Sequence, residues 1–262
     1  MIPVQIIFSL FGLIVGSFLN VCIYRLPRSL SIVSPPSACP ICHEHVKPWD
    51  NIPILSYFVL GGKCRKCREP ISIRYPLVEF LNGLLYWAVV RWFGIGWHTP
   101  LMFMLVSAMV VITFIDLDFQ IIPDAITLPG VVIGLLSASF LLPDPFSLHH
   151  SAHVISIVGF KNSFIGLLFG GGLFYLIAVL SRGGMGGGDI KMMAMVGAFM
   201  GWKSIFLTTF IGSVTGSAVG IFLMIAKGKG RKSKIPFGPF LAIGALATLF
   251  FGDIILKWYF QR

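Results

Sequence analysis

The chain has 262 residues, of which 56% are hydrophobic and only 11% charged, with a mean hydropathy of +0.88. That leaves too little polar surface to coat a water-soluble domain of this size, so the solvent implied by the composition is a lipid bilayer. The net charge of +10 does not point to nucleic acid, because the basic residues fall in loops beside apolar stretches and no compact basic domain could carry a groove-binding element. Contact with anionic lipid headgroups is the expectation.

Crossing the hydrocarbon takes roughly 20 apolar residues per helix. In chain order, such stretches occupy residues 4–24, 77–94, 100–115, 125–142, 164–180, 205–226 and 237–256. An eighth, at 190–201, is short and rich in Met, Ala and Gly. By length alone it suits a span, a re-entrant piece or a buried helix. If it crosses, the loops 25–76, 116–124, 182–191 and 227–234 share one face, which then carries 15 of the 20 Lys and Arg. The positive-inside rule makes that face cytoplasmic and puts both termini outside. If it does not cross, Lys227, Lys229, Arg231, Lys232 and Lys234 fall outside, against the rule. The first apolar run has no Lys or Arg before it, and Arg25 and Arg28 follow it. That is the reverse of a cleavable signal peptide, so the run reads as a retained anchor. The expectation is an all-α membrane protein with about eight transmembrane helices. On this expectation residues 1–24 form the first, 25–76 a small cytoplasmic insert, expected below to bind zinc, and 77–262 a polytopic core, expected below to be catalytic.

The insert carries two cysteine pairs, Cys39-Pro-Ile-Cys42 and Cys64-Arg-Lys-Cys67. A segment this small has little core of its own, and two such knuckles about twenty residues apart match the spacing that folds short loops around tetrahedral zinc. Disulfides are the competing reading, but a cytoplasmic loop sits in a reducing compartment where they are rare. His43 and His45 are nearby competitors as ligands. With four sulfurs at hand, they read instead as solvent-facing loop residues. A closed tetrathiolate set leaves no open coordination position, so the metal is expected to be structural. Cys22, in the first span, reads as a small packing residue.

Of ten acidic residues, five fall where spans begin or end: Glu79, Asp116, Asp118, Asp124 and Asp189. Carboxylates at a membrane border are costly unless paired or wetted. Asp116-Leu-Asp118-Phe-Gln-Ile-Ile-Pro-Asp124 joins the third and fourth spans, and Gly183-Gly-Met-Gly-Gly-Gly-Asp189-Ile-Lys191 joins the fifth and sixth. Glycine at Gly186, Gly187 and Gly188 removes side chains just before Asp189, so another stretch of chain can approach closely. Two carboxylates brought together near low dielectric do not both ionise easily, so the pair offers one base and one acid, which peptide hydrolysis by activated water requires. Asp118 and Asp124 have the simpler reading of helix caps or solvated headgroup residues. The glycine run matches neither nucleotide-binding fingerprint, G-x-G-x-x-G or G-x-x-x-x-G-K-[ST].

At these residues the sequence resembles the type IV prepilin peptidases, which belong with the intramembrane aspartyl proteases sharing a G-x-G-D signature. The resemblance is nearly full-length. Gly16-Ser-Phe-Leu-Asn-Val-Cys-Ile-Tyr-Arg-Leu-Pro27 is similar to the family's first-span signature, the paired C-x-x-C insert to its zinc domain, and Arg74-Tyr-Pro-Leu-Val-Glu79 to the start of its second span. Asp116 to Asp124 with Thr127-Leu-Pro129 resembles the first catalytic segment, Gly186 to Lys191 the second, and Pro236-Phe-Gly-Pro-Phe240 the start of the final span. The resemblance implies a bifunctional enzyme of the bacterial inner membrane. Such an enzyme cuts the basic leader from type IV prepilins or type II secretion pseudopilins after a glycine, then methylates the new N-terminal residue with S-adenosylmethionine. It also implies the catalytic pair Asp116 and Asp189, with Gly186, Gly188, Lys191, Asp118 and Asp124 in support.

No Rossmann-type fingerprint is present for the methyl donor, and a helical bundle offers no parallel sheet to build one. Asn20, Arg25 and Glu79 lie near the ends of the first two spans and are weak candidates for holding it. Helix-packing hydrogen bonds are the plainer role for them. A basic leader is not attracted by a basic surface overall, so local acidity at Asp118, Asp124 and Glu79 is a further expectation for guiding it. An ion-coupled transporter would also use membrane aspartates and Gly-rich breaks, but no inverted repeat is evident. A non-catalytic zinc scaffold would leave the G-x-G-D loop unexplained.

Overall fold

The computed structural model describes residues 2–147, 156–181, 184–227 and 236–260. It is all-helical, with no β-strand among the described residues beyond isolated bridges. Eight long helices coincide with the eight apolar stretches: α1 (Ile2–Arg25), α3 (Arg74–Phe93), α4 (Thr99–Phe119), α5 (Asp124–Ala138), α6 (Phe160–Leu180), α7 (Gly187–Met200), α8 (Trp202–Lys227) and α9 (Gly238–Phe260). A short ninth, α2 (Leu55–Val59), lies in the insert. Five of these, α1, α4, α6, α8 and α9, are long and apolar enough to cross a membrane. The basic loop expected at 227–234 lies outside the described residues after Lys227, as do Arg182 and Gly183.

The helices are apolar all round, which in water would leave a large exposed apolar surface and in a bilayer does not. On α8, for instance, Phe206, Phe210, Val214, Ile221, Phe222 and Ile225 all point away from protein. The chain is a multi-pass membrane protein.

Packing divides the chain into two units, Met1–Gly94 with Val106–Val111, and Ile95–Leu105 with Ile112–Arg262. In the first unit α1 lies against α3 through Gly12 and Gly16, one turn apart. A Cβ on Gly16 would sit 2.7 Å from the Glu79 Cα, and one on Gly12 would sit 2.9 Å from the Asn82 carbonyl oxygen. Small residues at this spacing let backbones approach where no hydrophobic force drives helices together. Polar side chains then fasten the contact: Asn82 Nδ2 donates to the Gly12 carbonyl at 2.8 Å, and Ser107 Oγ donates to Asn82 Oδ1 at 3.0 Å.

In the second unit, α7 is packed against α5, α6, α8 and α9. Met192, Met193, Met195, Ala198, Phe199 and Met200 are all buried. At 14 residues α7 is about 21 Å long, against a hydrocarbon thickness of about 30 Å. Such a length is tolerable because protein surrounds the helix and satisfies its ends. The helix is enclosed by its neighbours, an environment that suits a short span within the bundle as well as a re-entrant piece. A single residue, Gly201, joins α7 to α8, and its φ of +78° is a conformation that side chains rarely adopt.

Candidate active site and metal centre

Three helix ends and one loop meet around Asp116 and Asp189. Asp116 lies in the last turn of α4, which closes with Gln120 in the left-handed conformation, its N–H returning to the Asp116 carbonyl at 2.9 Å. Asp189 lies in the first turn of α7, over Gly186, whose N-cap backbone is extended. The first turn of α9 closes the site: the Gly238 N–H donates to Asp116 Oδ2 at 2.9 Å, well away from solvent. A helix N-terminus presents unpaired N–H groups and a positive dipole end, which suits a carboxylate acceptor.

Ile122, from the loop after α4, fills the space between these parts. It approaches both glycines closely: a Cβ on Gly188 would be 2.7 Å from its Cβ, and one on Gly238 would be 3.3 Å from its Cδ1. Asp116 and Asp189 therefore flank one side chain, near enough to interact electrostatically. Both are buried, at 6% and 8% exposure, whereas Asp118 and Asp124 are exposed. Lys191, one turn after Gly188 on α7, reaches Asp124 at the start of α5, with its Nζ 2.7 Å from both carboxylate oxygens.

The insert folds around its cysteines in two matching loops. In the first, the Cys39 N–H donates to the Glu44 carbonyl at 2.9 Å, and His43 takes a left-handed φ of 56°. In the second, the Cys64 N–H donates to the Glu69 carbonyl at 2.8 Å, and Arg68 takes a φ of 61°. The two turns point four sulfurs at one centre, all within 4.8 Å of one another, and neither histidine belongs to the cluster. The Cys39–Cys67 and Cys42–Cys64 sulfur separations are 3.8 and 3.9 Å. Four thiolates held about 2.3 Å from one ion in a tetrahedron lie about 3.8 Å apart. The cluster therefore fits a metal of zinc's size and thiolate preference. The N–H groups of Cys67 and Lys66 hold the Cys64 thiol down to about 7, while, against the Glu69 N–H, desolvation and the neighbouring sulfurs push the Cys67 thiol up to about 12. Arg65 donates to both carboxylate oxygens of Asp50, and Lys66 pairs with Glu44 at 2.5 Å, tying the two loops together.

Comparison with known proteins gives the family. The bacterial peptidase A24 N-terminal domain matches residues 10–93, and the type IV leader peptidase family matches residues 103–221. The chain belongs to the type IV leader peptidase family. The prepilin leader peptidase/N-methyltransferase of Pseudomonas aeruginosa is 35% identical over 276 residues, covering 96% of this chain and 92% of its own. Those of Aeromonas hydrophila and Legionella pneumophila are each 36% identical, covering 95% and 97% of this chain and 91% and 93% of theirs. No solved structure gives a significant match. The chain is accordingly an enzyme, a peptidase and N-methyltransferase of this family.

Within this leader peptidase, some sequence expectations meet and others stay apart. Asp116, Asp189, Gly186 and Gly188 converge, while Lys191 and Asp124 form an ion pair beside them. Gly238 was not singled out from sequence, although Pro236-Phe-Gly238-Pro-Phe240 marked its position. Its signal was a glycine between two prolines at a helix start, where a carboxylate can reach the backbone. The three candidates for the methyl donor serve the protein itself. Asn20 Nδ2 donates to the Tyr75 carbonyl at 3.1 Å, Arg25 donates to the Ser31 and Pro35 carbonyls at 2.8 and 2.6 Å, and Glu79 Oε2 accepts the Ile54 N–H at 2.7 Å.

Proposed function

We propose that this enzyme cleaves the basic leader from type IV prepilins or type II secretion pseudopilins by aspartyl catalysis, and that Asp116 and Asp189 are the catalytic pair. The observation that carries this reading is the burial of these two carboxylates near Ile122, with Gly186 beside Asp189 and Gly238 beside Asp116. In the proposed mechanism one carboxylate takes a proton from water as it attacks the scissile carbonyl. The other donates a proton to the leaving nitrogen. The Gly238 N–H fixes the rotamer of Asp116, and the small residues before Asp189 leave room for an extended peptide.

Both carboxylates belong to helix ends, Asp116 in the last turn of α4 and Asp189 in the first of α7. This supports cleavage at a membrane border, where the junction between leader and apolar pilin helix would lie. It weighs against an ion-coupled transporter, whose carboxylates belong near the midplane. The assigned topology has eight spans with the insert and both catalytic loops cytoplasmic and both termini outside. The assigned division remains a first span at 1–24, the insert at 25–76 and the core at 77–262. A structural zinc held by Cys39, Cys42, Cys64 and Cys67 would contribute folding free energy to the insert. S-adenosylmethionine would supply the methyl group for the second reaction. Asn20, Arg25 and Glu79 are candidates for its site by position alone. Their hydrogen bonds serve the fold, and no step of the transfer is assigned to them.

The test is cleavage of a purified prepilin in detergent. Asp116→Asn and Asp189→Asn should each abolish it while metal content and melting temperature stay unchanged. Normal processing by both variants would overturn the assignment.

A further inference from the structure

Residues 51–62, Asn-Ile-Pro-Ile-Leu-Ser-Tyr-Phe-Val-Leu-Gly-Gly, form an uncharged run between two charged stretches of the insert, 44–50 and 63–69. Within it, Leu55, Phe58 and Val59 share one face of α2 at the i, i+3, i+4 spacing. Ile52 lies one turn earlier. These side chains are exposed by 58%, 69%, 73% and, for Ile52, 46%. In a water-bathed loop such a cluster would be an unexplained apolar patch.

Two tethers show where the run lies. Ser17 Oγ donates to Asn51 Oδ1 at 3.3 Å, and Ser17 precedes the end of α1 at Arg25 by eight residues, or about 12 Å along the helix. Glu79 Oε2 accepts the Ile54 N–H at 2.7 Å, and Glu79 follows the start of α3 at Arg74 by five residues, or about 7.5 Å. The two anchor points are level with each other, since Gly16, next to Ser17, packs on the Glu79 backbone. The run is therefore held alongside α1 and α3, below the level of Arg25, Arg28 and Arg74. Lipid-facing residues of α1 such as Phe18 lie at that depth.

The backbone is prepared for such a place. A polypeptide in hydrocarbon must satisfy its own polar groups. Here Leu55 donates to Pro53, Ser56 to Ile52, Phe58 to Ile54, Leu60 to Ser56, Gly61 to Phe58 and Gly62 to Tyr57. The Ile54 N–H goes to the Glu79 side chain. Ile54 has φ 61° and ψ −51°, and the Leu55 N–H bonds to the Pro53 carbonyl at 2.5 Å. That is the rare, strained form of γ-turn. Glu79 holds the Ile54 N–H of this turn, and the apolar face of the α2 helix that follows is exposed. At the edge of the run, Lys47 sits 5.6 Å from the Trp49 ring, the cation and aromatic pairing usual at a membrane interface.

We infer that residues 51–62 are embedded in the acyl-chain border of the bilayer, with Ile52, Leu55, Phe58 and Val59 against lipid. On this reading the insert between α1 and α3 is only partly aqueous: its cysteine loops stand in water, and α2 anchors them to the membrane. The occupant of the apolar face is phospholipid.

Spin labels attached through a non-canonical amino acid, which spares the cysteines, would test this in proteoliposomes. Labels at Phe58, at Phe18 on α1 and at Ile41 in the first cysteine loop would be compared for collision with oxygen and with a water-soluble nickel chelate. The label at 58 should match that at 18, favouring oxygen, with the ratio reversed at 41. A label at 58 that collides with nickel as readily as one at 41 would overturn the inference. So would one shielded from both reagents, which would mean a protein partner or a second copy covers the face. A label at Val59 gives the same reading independently should Phe58 prove essential for folding.

Discussion

Replacing Gly238 by alanine tests the reading of the acidic site more sharply than removing an aspartate. An added Cβ would lie 2.7 Å from Oδ2 and 3.1 Å from Cγ of Asp116, where ordinary contact begins at 3.4 Å. The carboxylate must retreat by about 0.7 Å, the difference between 3.4 and 2.7 Å. Moved that far from the new Cβ, the Gly238 N–H to Oδ2 bond lengthens from 2.9 Å to about 3.4 Å, past the usual range of about 2.7 to 3.2 Å. A hydrogen bond to a charged acceptor contributes about 1.5 to 3 kcal/mol. At 1.36 kcal/mol per factor of ten, kcat should fall by about 10- to 150-fold. The same lost bond lowers folding stability, partly offset because alanine is the better helix former, so Gly238→Ala should melt modestly below the parent. The assay is the rate of leader removal from a purified prepilin, followed by mass spectrometry at saturating substrate. A kcat within twofold of the parent would refute the contact between α9 and Asp116 as part of the machinery.

Asp124→Asn should leave the KM for prepilin unchanged, because Lys191 already engages both of its oxygens; a severalfold rise in KM would show that Asp124 guides the leader. Since that pair is half-exposed, Lys191→Met should cost no more than about 1 kcal/mol in chemical denaturation. Cys39→Ser or Cys64→Ser should lower both bound zinc, measured by elemental analysis, and the melting temperature; a parent protein without zinc and with the same melting temperature as the variants would refute the metal. Gly16→Ala drives a Cβ to 2.7 Å from the Glu79 backbone, where no side chain can give way, and should destabilise the protein by about 1 to 3 kcal/mol in the same denaturation assay.

Most of the helices were legible because they are long apolar runs that satisfy their backbones internally, whereas the short α7 was ambiguous by length. The cysteine loops were legible because a metal site needs only local spacing. Among four aspartates near helix ends, the family resemblance and not the local pattern singled out Asp116 and Asp189, and burial is the physical difference between them and Asp118 and Asp124. Burial depends on which helices cross above them, which no local pattern encodes. The contact of Gly238 with Asp116 spans 122 positions of chain and uses a backbone N–H, which every residue but proline carries. The depth of α2 was missed for a similar reason: its tethers run to Ser17 and Glu79 on two different helices, while its neighbours in sequence are charged.

The composition of α7 carries a chemical liability. Met192, Met193, Met195 and Met200 are wholly enclosed, and their unbranched thioethers fill irregular gaps between four surrounding helices. Conversion of any one to the sulfoxide would place a polar, chiral group in a buried, tightly packed setting. Peroxide can reach these sulfurs only when the helices around α7 part. The rate at which sulfoxide accumulates on that peptide is thus a clock for opening of the bundle around Asp189, and it can be read without a substrate.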